Sequence, residues 1–389
     1  MTIDRRADGN TDLDRRKFVT FSTLGLLAPS ALLAGLKSAA PAGAHMLQMN
    51  GYAVNAETPL ELLADYLTPN ELFFVRSHWI PRTPDVENFT LSVDGGVGKP
   101  LSLSIAQLRK LPRTEMTCVL QCAGNGRALY SPALPGVQWK AGAVGNARWG
   151  GLPVKELLRV AGLNASGEHL HTFGSDKPPG KVPPFHRSLE LEKALEDAIV
   201  AFEMNGQPLP VEHGGPLRLV VPGWAGDHWM KWLTRLVVSE TPQTGFYMDT
   251  AYRYPLRPAE PGVTFKPEEM RPVTELFVKS SITTAPSRMR LDDTALVTGF
   301  ALSGAPGIAR VEVSDDDGAT WRDADLDPRS DRYSWRLWSY RWRPSKPGTA
   351  RLFVRATDSR GAIQPRVAVW NQSGYLNNAW PSVEIEVAS

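Results

Sequence analysis

Cysteine is nearly absent from this 389-residue chain, which has only Cys118 and Cys122. Two thiols exclude a disulfide framework and a four-thiolate cluster. Neither opens a Cys-x-x-Cys-His run, so covalent haem attachment is excluded as well. Long apolar runs are scarce too. The one candidate, Val19 to Gly35, is 17 residues long with Pro29 inside it, short of the ~20 that a membrane span needs. It follows Arg15-Arg16-Lys17-Phe18 and leads to Ala42-Gly43-Ala44, so residues 1–44 read as a cleaved twin-arginine export signal. That route carries folded proteins, and the expectation is a periplasmic protein exported with its cofactor loaded and without a membrane span after signal removal. A charge surplus is also missing. Residues 1–44 hold six of the 43 Lys and Arg and four of the 41 Asp and Glu, so the remainder carries no net charge. A nucleic-acid binder would need a basic excess.

Apolar residues make up 42% of the chain, which excludes general disorder. Gly (33) and Pro (32) are above their usual ~7% and ~5%, which argues for a loop-rich, sheet-containing fold and against a helical bundle. From residue 45 to about 265 the pattern is mixed. Leu60 to Tyr66, Val154 to Ala161 and Leu189 to Asp197 show helical spacing, the last with Ser188 as a candidate N-cap. Phe89 to Asp94 alternates as a strand, and Leu217 to Val221 is an apolar run ending at Pro222-Gly223. Beyond the Pro/Gly-rich stretch Pro255 to Pro272 the pattern becomes all-β. Strands are expected at Ala295–Phe300, Ala309–Val313, Ser334–Trp342 and Arg351–Thr357, with Trp338, Tyr340 and Trp342 on one face. The expected organisation is an α+β domain over 45–265 followed by an immunoglobulin-like sandwich over 266–389.

The chemistry centres on Thr117 to Arg127, where an apolar strand runs into Cys122 and a Gly-rich turn brings Arg127 close. A thiolate is a soft metal ligand, and a nearby cation favours the thiolate form. Cys118, four residues earlier in the strand, reads as a buried small hydrophobe.

Around this segment stand Phe74-Val75-Arg76-Ser77-His78, Leu120 to Asn125, Gly145 to Gly151, Glu203 to Pro210, His213 to Arg218, Val221-Pro222-Gly223 and Lys231-Trp232-Leu233. In these segments, in this order, the chain closely resembles the sulfite oxidase and sulfite dehydrogenase family of molybdenum enzymes. The resemblance implies a molybdopterin-binding domain followed by an immunoglobulin-like dimerisation domain, hence a homodimer. It makes Cys122 the thiolate ligand of molybdenum. Phe74, Val75, Arg76, Ser77 and His78 match a pterin-contacting loop. Asp176, His213, Arg218, Trp229, Met230 and Lys231 match further cofactor contacts. Arg76 and Arg127 match pocket arginines, Trp139 a pocket-lining aromatic, and Tyr252 the active-site tyrosine, with Tyr254 next in register.

One departure stands out. Relatives often supply another pocket arginine in a W-N-x-R-G or N-A-W-x-R segment, where this chain has Ser373 and Ser382. The implied reaction is oxidation of sulfite to sulfate, with electrons passing singly to an external acceptor such as a c-type cytochrome. The enzymatic rivals are relatives acting on sulfane sulfur or on a sulfoxide; a secreted, non-catalytic immunoglobulin-like binding module is the alternative of another class.

Overall fold

Alternation becomes burial in the strand Thr90–Gly95, where Leu91 and Val93 are wholly inaccessible and their neighbours face outward. The computed structural model describes residues 46–50, 54–79, 84–305 and 307–389. The twin-arginine segment lies outside the described residues. Among those described, no helix is long and apolar enough to cross a membrane.

Two five-stranded sheets frame the first part. In one, Ile199–Met204 pairs with Gln207–Pro208, Arg218–Val220 and Val144–Pro153, and the last pairs with Thr114–Gln121. In the other the order is Leu101–Ser104, Thr90–Gly95, Leu233–Ser239, His169–Gly174, His186–Glu190. Its one parallel pairing joins Thr90–Gly95 to Leu233–Ser239. The helix Val154–Ala161 matches its sequence pattern, burying Val154, Leu157, Leu158 and Ala161 and ending at Gly162 with φ +70°.

Two helical expectations need correction. Leu60–Leu62 is only a 3₁₀ turn. The helix beginning at Leu191 is not capped by Ser188, which is buried in the preceding strand; Glu190 occupies the N-cap position.

The second part is a sandwich. One sheet runs Lys279–Thr284, Ala295–Leu302, Arg336–Trp342, Asp325–Leu326; the other runs Arg288–Arg290, Ser382–Ala388, Gly348–Asp358, Ile308–Ser314, Arg322–Asp323. Trp338 and Trp342 are each 2% exposed and belong to the core between the sheets.

Each part has its own apolar core, and a third cluster joins them, bringing Leu63, Val119 and Val144 against Leu276, Phe300, Trp335 and Leu376. Polar contacts cross the same seam. Val119 N–H donates to the Tyr333 carbonyl at 2.9 Å, Trp335 Nε1 to the Tyr66 carbonyl at 2.9 Å, and Leu376 N–H to the Ala123 carbonyl at 2.8 Å. The last contact lies one residue beyond Cys122, so the sandwich reaches the loop that carries the thiol.

Candidate active site

Cys122 follows the strand Thr114–Gln121, and its N–H donates to the Ala143 carbonyl at 2.9 Å. The turn beyond it needs its glycines. A Cβ on Gly124 would lie 2.6 Å from the Arg127 guanidinium, and Gly126 has φ +89°. The thiol opens onto a cavity that is partly open to solvent. The lining includes Phe74, Arg76, Ser77, His78, Asp176, His213, Arg218, Trp229, Met230, Lys231 and Tyr252. Five segments separated in sequence thus meet at one thiol.

Three cations line the cavity, Arg76, Arg218 and Lys231, beside three carboxylates, Asp176, Glu212 and Asp227. Arg218 is 3% exposed and lies against two indoles that touch each other, its Cζ 5.2 Å from the Trp149 ring centre and 5.6 Å from that of Trp229. Its Nη atoms donate to the His213 carbonyl at 2.6 Å and the Trp229 carbonyl at 3.1 Å, but its buried Nε has no partner. Burial pushes its pKa down to about 9, and no carboxylate offsets that cost. Lys231 Nζ donates to Ser77 Oγ at 2.8 Å and to the Glu212 carbonyl at 3.2 Å. Burial first, then Arg218 and Arg76, hold it well below the ordinary lysine range. Arg218, buried without a carboxylate partner, calls for an anionic ligand. Asp176 does not fill that role: its Oδ2 accepts from Trp79 Nε1 at 2.7 Å, and burial raises its pKa.

Around the thiol, two effects oppose each other. Arg76 and Arg127 favour the thiolate, as the sequence suggested, but burial outweighs them and raises the Cys122 pKa. Without a bound cation the sulfur is a thiol; a metal would displace its proton.

Tyr252 stands opposite, with its backbone at φ +54°, an uncommon conformation for a bulky residue. Its hydroxyl shares a 2.9 Å hydrogen bond with His78 Nε2. Burial raises the phenol's pKa and holds His78 well below the usual imidazole range, so both groups are neutral at working pH.

Three expected site residues lie outside the cavity lining. Val75 is buried in the short strand Val75–Arg76, which pairs with Asn55–Glu57. Trp139 is fully buried beneath the site, its Nε1 without a partner. Arg127 is 8% exposed and turned to backbone: Nε donates to the Ser373 carbonyl and Nη1 to the Val137 carbonyl, both at 2.8 Å. These carbonyls and the face of Tyr375, 5.4 Å from its Cζ, hold its guanidinium away from the lining.

Sequence reasoning also missed a buried pair. Arg187 Nη2 donates to Asp227 Oδ2 at 2.7 Å, His228 lies alongside, and Asp227 lines the cavity. Asp227-His228 falls between two recognised words, Val221-Pro222-Gly223 and Lys231-Trp232-Leu233. Arg187 stands alone in sequence, so nothing local linked it to the site.

His213 gives a pH prediction. It is 4% exposed, its Nε2 lies 2.8 Å from the Asn70 carbonyl, and burial pushes its pKa down to about 4 from 6.5. As pH falls, the unfolded chain takes up the proton first. The contribution is therefore complete above pH 6.5 and lost as pH falls toward 4, by roughly 3 kcal/mol in the cofactor-free protein. Urea unfolding at pH 7 and pH 4.5 should show wild type losing about 2–3 kcal/mol more than His213→Gln; equal losses would refute the assignment.

Comparison with known proteins is specific. Residues 77–247 match the model of the oxidoreductase molybdopterin binding domain, and residues 270–388 that of the Mo-co oxidoreductase dimerisation domain. Sulfite oxidase of Gallus gallus is 37% identical over 345 residues, which cover 84% of this chain and 74% of that protein. The mitochondrial sulfite oxidase of Homo sapiens is 35% identical, with 86% of this chain and 64% of the relative covered. Sulfite oxidase of Arabidopsis thaliana is 32% identical, with 85% and 91% covered. The chain thus spans under two thirds of the human relative's length. Among solved structures, the sulfane dehydrogenase SoxCD from Paracoccus pantotrophus superposes with a TM-score of 0.77 at 26% identity, covering 91% of this chain and 93% of that one.

Proposed function

The chain belongs to the sulfite oxidase family of molybdopterin oxidoreductases, and from that membership we propose that it oxidises sulfite to sulfate and passes the electrons singly to an external acceptor such as a c-type cytochrome. The observation that carries this reading is the cavity at Cys122, where Arg218 is buried with an orphan Nε and no carboxylate partner. The residues fit the molybdenum cofactor. Arg218, Lys231 and His213 would accept its phosphate, Trp229, Met230 and Phe74 would offer it apolar contact, and Cys122 would be the soft donor for the metal. When bound, the cofactor supplies a metal that accepts two electrons from the sulfur compound and releases them one at a time.

The chain's own contribution is binding and orientation. Arg76 lines the cavity and its charge is felt at both Cys122 and Tyr252, which places a cation where a sulfur oxyanion would sit. Its Nη1 is held by Asn55 Oδ1 at 3.2 Å and by the Ser77 carbonyl. The Tyr252 phenol stays protonated, able to donate to a substrate oxygen.

Arg76→Gln should raise the Michaelis constant for sulfite ten- to a hundredfold, since one charge-assisted contact is worth roughly 1.5–3 kcal/mol. Steady-state assays with sulfite and cytochrome c, at matched molybdenum content, check this. An unchanged constant would remove Arg76 from substrate binding.

The second reading is oxidation of sulfane sulfur, favoured by the likeness to the sulfane dehydrogenase and by serine at position 373. Parallel assays with sulfite and with a protein-bound persulfide separate the two. We further propose a homodimer paired through residues 270–388, testable by sedimentation, and periplasmic export directed by Arg15-Arg16, testable by fractionating an Arg15→Lys, Arg16→Lys variant.

A further inference from the structure

The sandwich domain sends one loop, Asn371 to Asn378, beneath the candidate site. The loop is pinned on itself: Asn371 Oδ1 accepts from Tyr375 N–H at 2.9 Å and Asn371 Nδ2 donates to the Tyr375 carbonyl at 2.8 Å. It is pinned to the thiol loop as well, by the bond from Leu376 N–H to the Ala123 carbonyl, and Leu376 takes φ +55° to make it. The Tyr375 side chain is thereby wedged between two residues of the other domain. Its ring stacks on that of Tyr252, with centroids 5.4 Å apart and planes 16° apart. The Arg127 guanidinium lies over the ring, Cζ to centroid 5.4 Å, while Arg127 Nε holds the Ser373 carbonyl of the same loop. The Tyr375 hydroxyl accepts the Tyr252 backbone N–H at 3.4 Å. That bond is long, so Tyr375 acts on Tyr252 chiefly through the ring contact, beside the Val273 N–H bond to the Tyr252 carbonyl at 2.8 Å and the Arg187 guanidinium 5.4 Å from the Tyr252 ring centre. Tyr252 needs restraint, because its positive φ is sustained only when its surroundings determine it.

We infer that Tyr375 is a positioning residue for the reaction: the C-terminal domain uses it to hold the Tyr252 phenol against the cavity, with Arg127 clamped on the ring as its counterpart. Tyr375 does not line the cavity and acts through Tyr252. The inference rests on the reading of the cavity as a sulfur-oxyanion site. Where an arginine side chain is expected, the chain offers a backbone carbonyl to Arg127 and an aromatic ring two residues later.

The test is a double-mutant cycle on the cofactor-loaded protein, read by kcat/KM for sulfite and by calorimetric affinity for sulfate. Tyr375→Leu, which removes the ring, should lower both about tenfold in the wild-type background. In the Tyr252→Phe background, where no phenol is left to orient, it should lower them less than twofold. Tyr375→Phe keeps the ring and should stay within about threefold of wild type. Equal losses from Tyr375→Leu in both backgrounds would make the residue merely structural and overturn the proposal, as would no loss in either. If Tyr375→Leu does not load cofactor, the same cycle run with Tyr375→Phe decides, its small loss vanishing in the Tyr252→Phe background or not. If wild type binds sulfate but does not turn over sulfite, the sulfite reading fails on its own, and the sulfate cycle still decides on Tyr375.

Discussion

Cys122→Ser should abolish sulfur oxidation, leaving less than about a thousandth of the wild-type rate, while the chain folds and exposes the same cavity. Serine oxygen is a harder and less donating ligand than thiolate, and a change of first ligand retunes the potential and reactivity of a metal centre. The fold tolerates the exchange because Cys122 lies at the edge of the core, partly exposed to the cavity, with its backbone held by Ala143. Cys118→Ser is the control. Cys118 is wholly buried, and burial strongly raises its pKa, so it is a packing residue. Adding a hydroxyl there should cost about 1–3 kcal/mol of stability and leave turnover unchanged. Turnover, metal content and melting temperature measured on both variants check the pair. Comparable turnover by Cys122→Ser at equal molybdenum loading would end the assignment of the metal ligand.

Arg218→Met should produce a folded protein that no longer retains the cofactor, with affinity lower by about a hundredfold. In the cofactor-free chain the exchange removes a buried cation that has no carboxylate partner, which relieves a desolvation cost. It also forfeits the hydrogen bonds to the His213 and Trp229 carbonyls, each worth about 1 kcal/mol. These terms oppose each other, so the melting temperature of the cofactor-free protein should move by only a few degrees. With the cofactor present they no longer cancel, because a guanidinium–phosphate contact is charge-assisted and fully desolvated. Molybdenum content per chain, set beside the melting temperature of the cofactor-free form, gives both quantities. Normal loading in Arg218→Met would show that Arg218 only packs against its two tryptophans.

The legible part of this protein is local. The helix Val154–Ala161 could be read because its four buried residues repeat at helical spacing and a glycine ends it. The change near residue 265 was visible because strands with alternating faces replace mixed elements. Cys122, Arg76 and Arg218 stood out because each sits in a run of several recognisable residues, and such runs keep their order along the chain. The Leu60 turn and the Ser188 cap were misread for a different reason. The seven residues from Leu60 pack a single buried leucine, Leu63, against the seam between domains, and Ser188 is taken up by a strand, so tertiary contacts overrode local preference.

The sequence by itself determined the thiol, the turn that follows it, the cationic side chains and the two-part order of the domains, because these depend on residue type and near neighbours. Only the tertiary structure decided that Arg218 is buried without a carboxylate partner, since that depends on what surrounds it after distant segments converge. It turned Arg127 toward the carbonyls of Val137 and Ser373 and buried Trp139 below the cavity. It joined Arg187 to Asp227 across 40 residues and set Tyr375 against Tyr252 across 123. No periodicity or motif encodes such pairs, because burial and contact at these distances follow from how the sheets and the sandwich pack together.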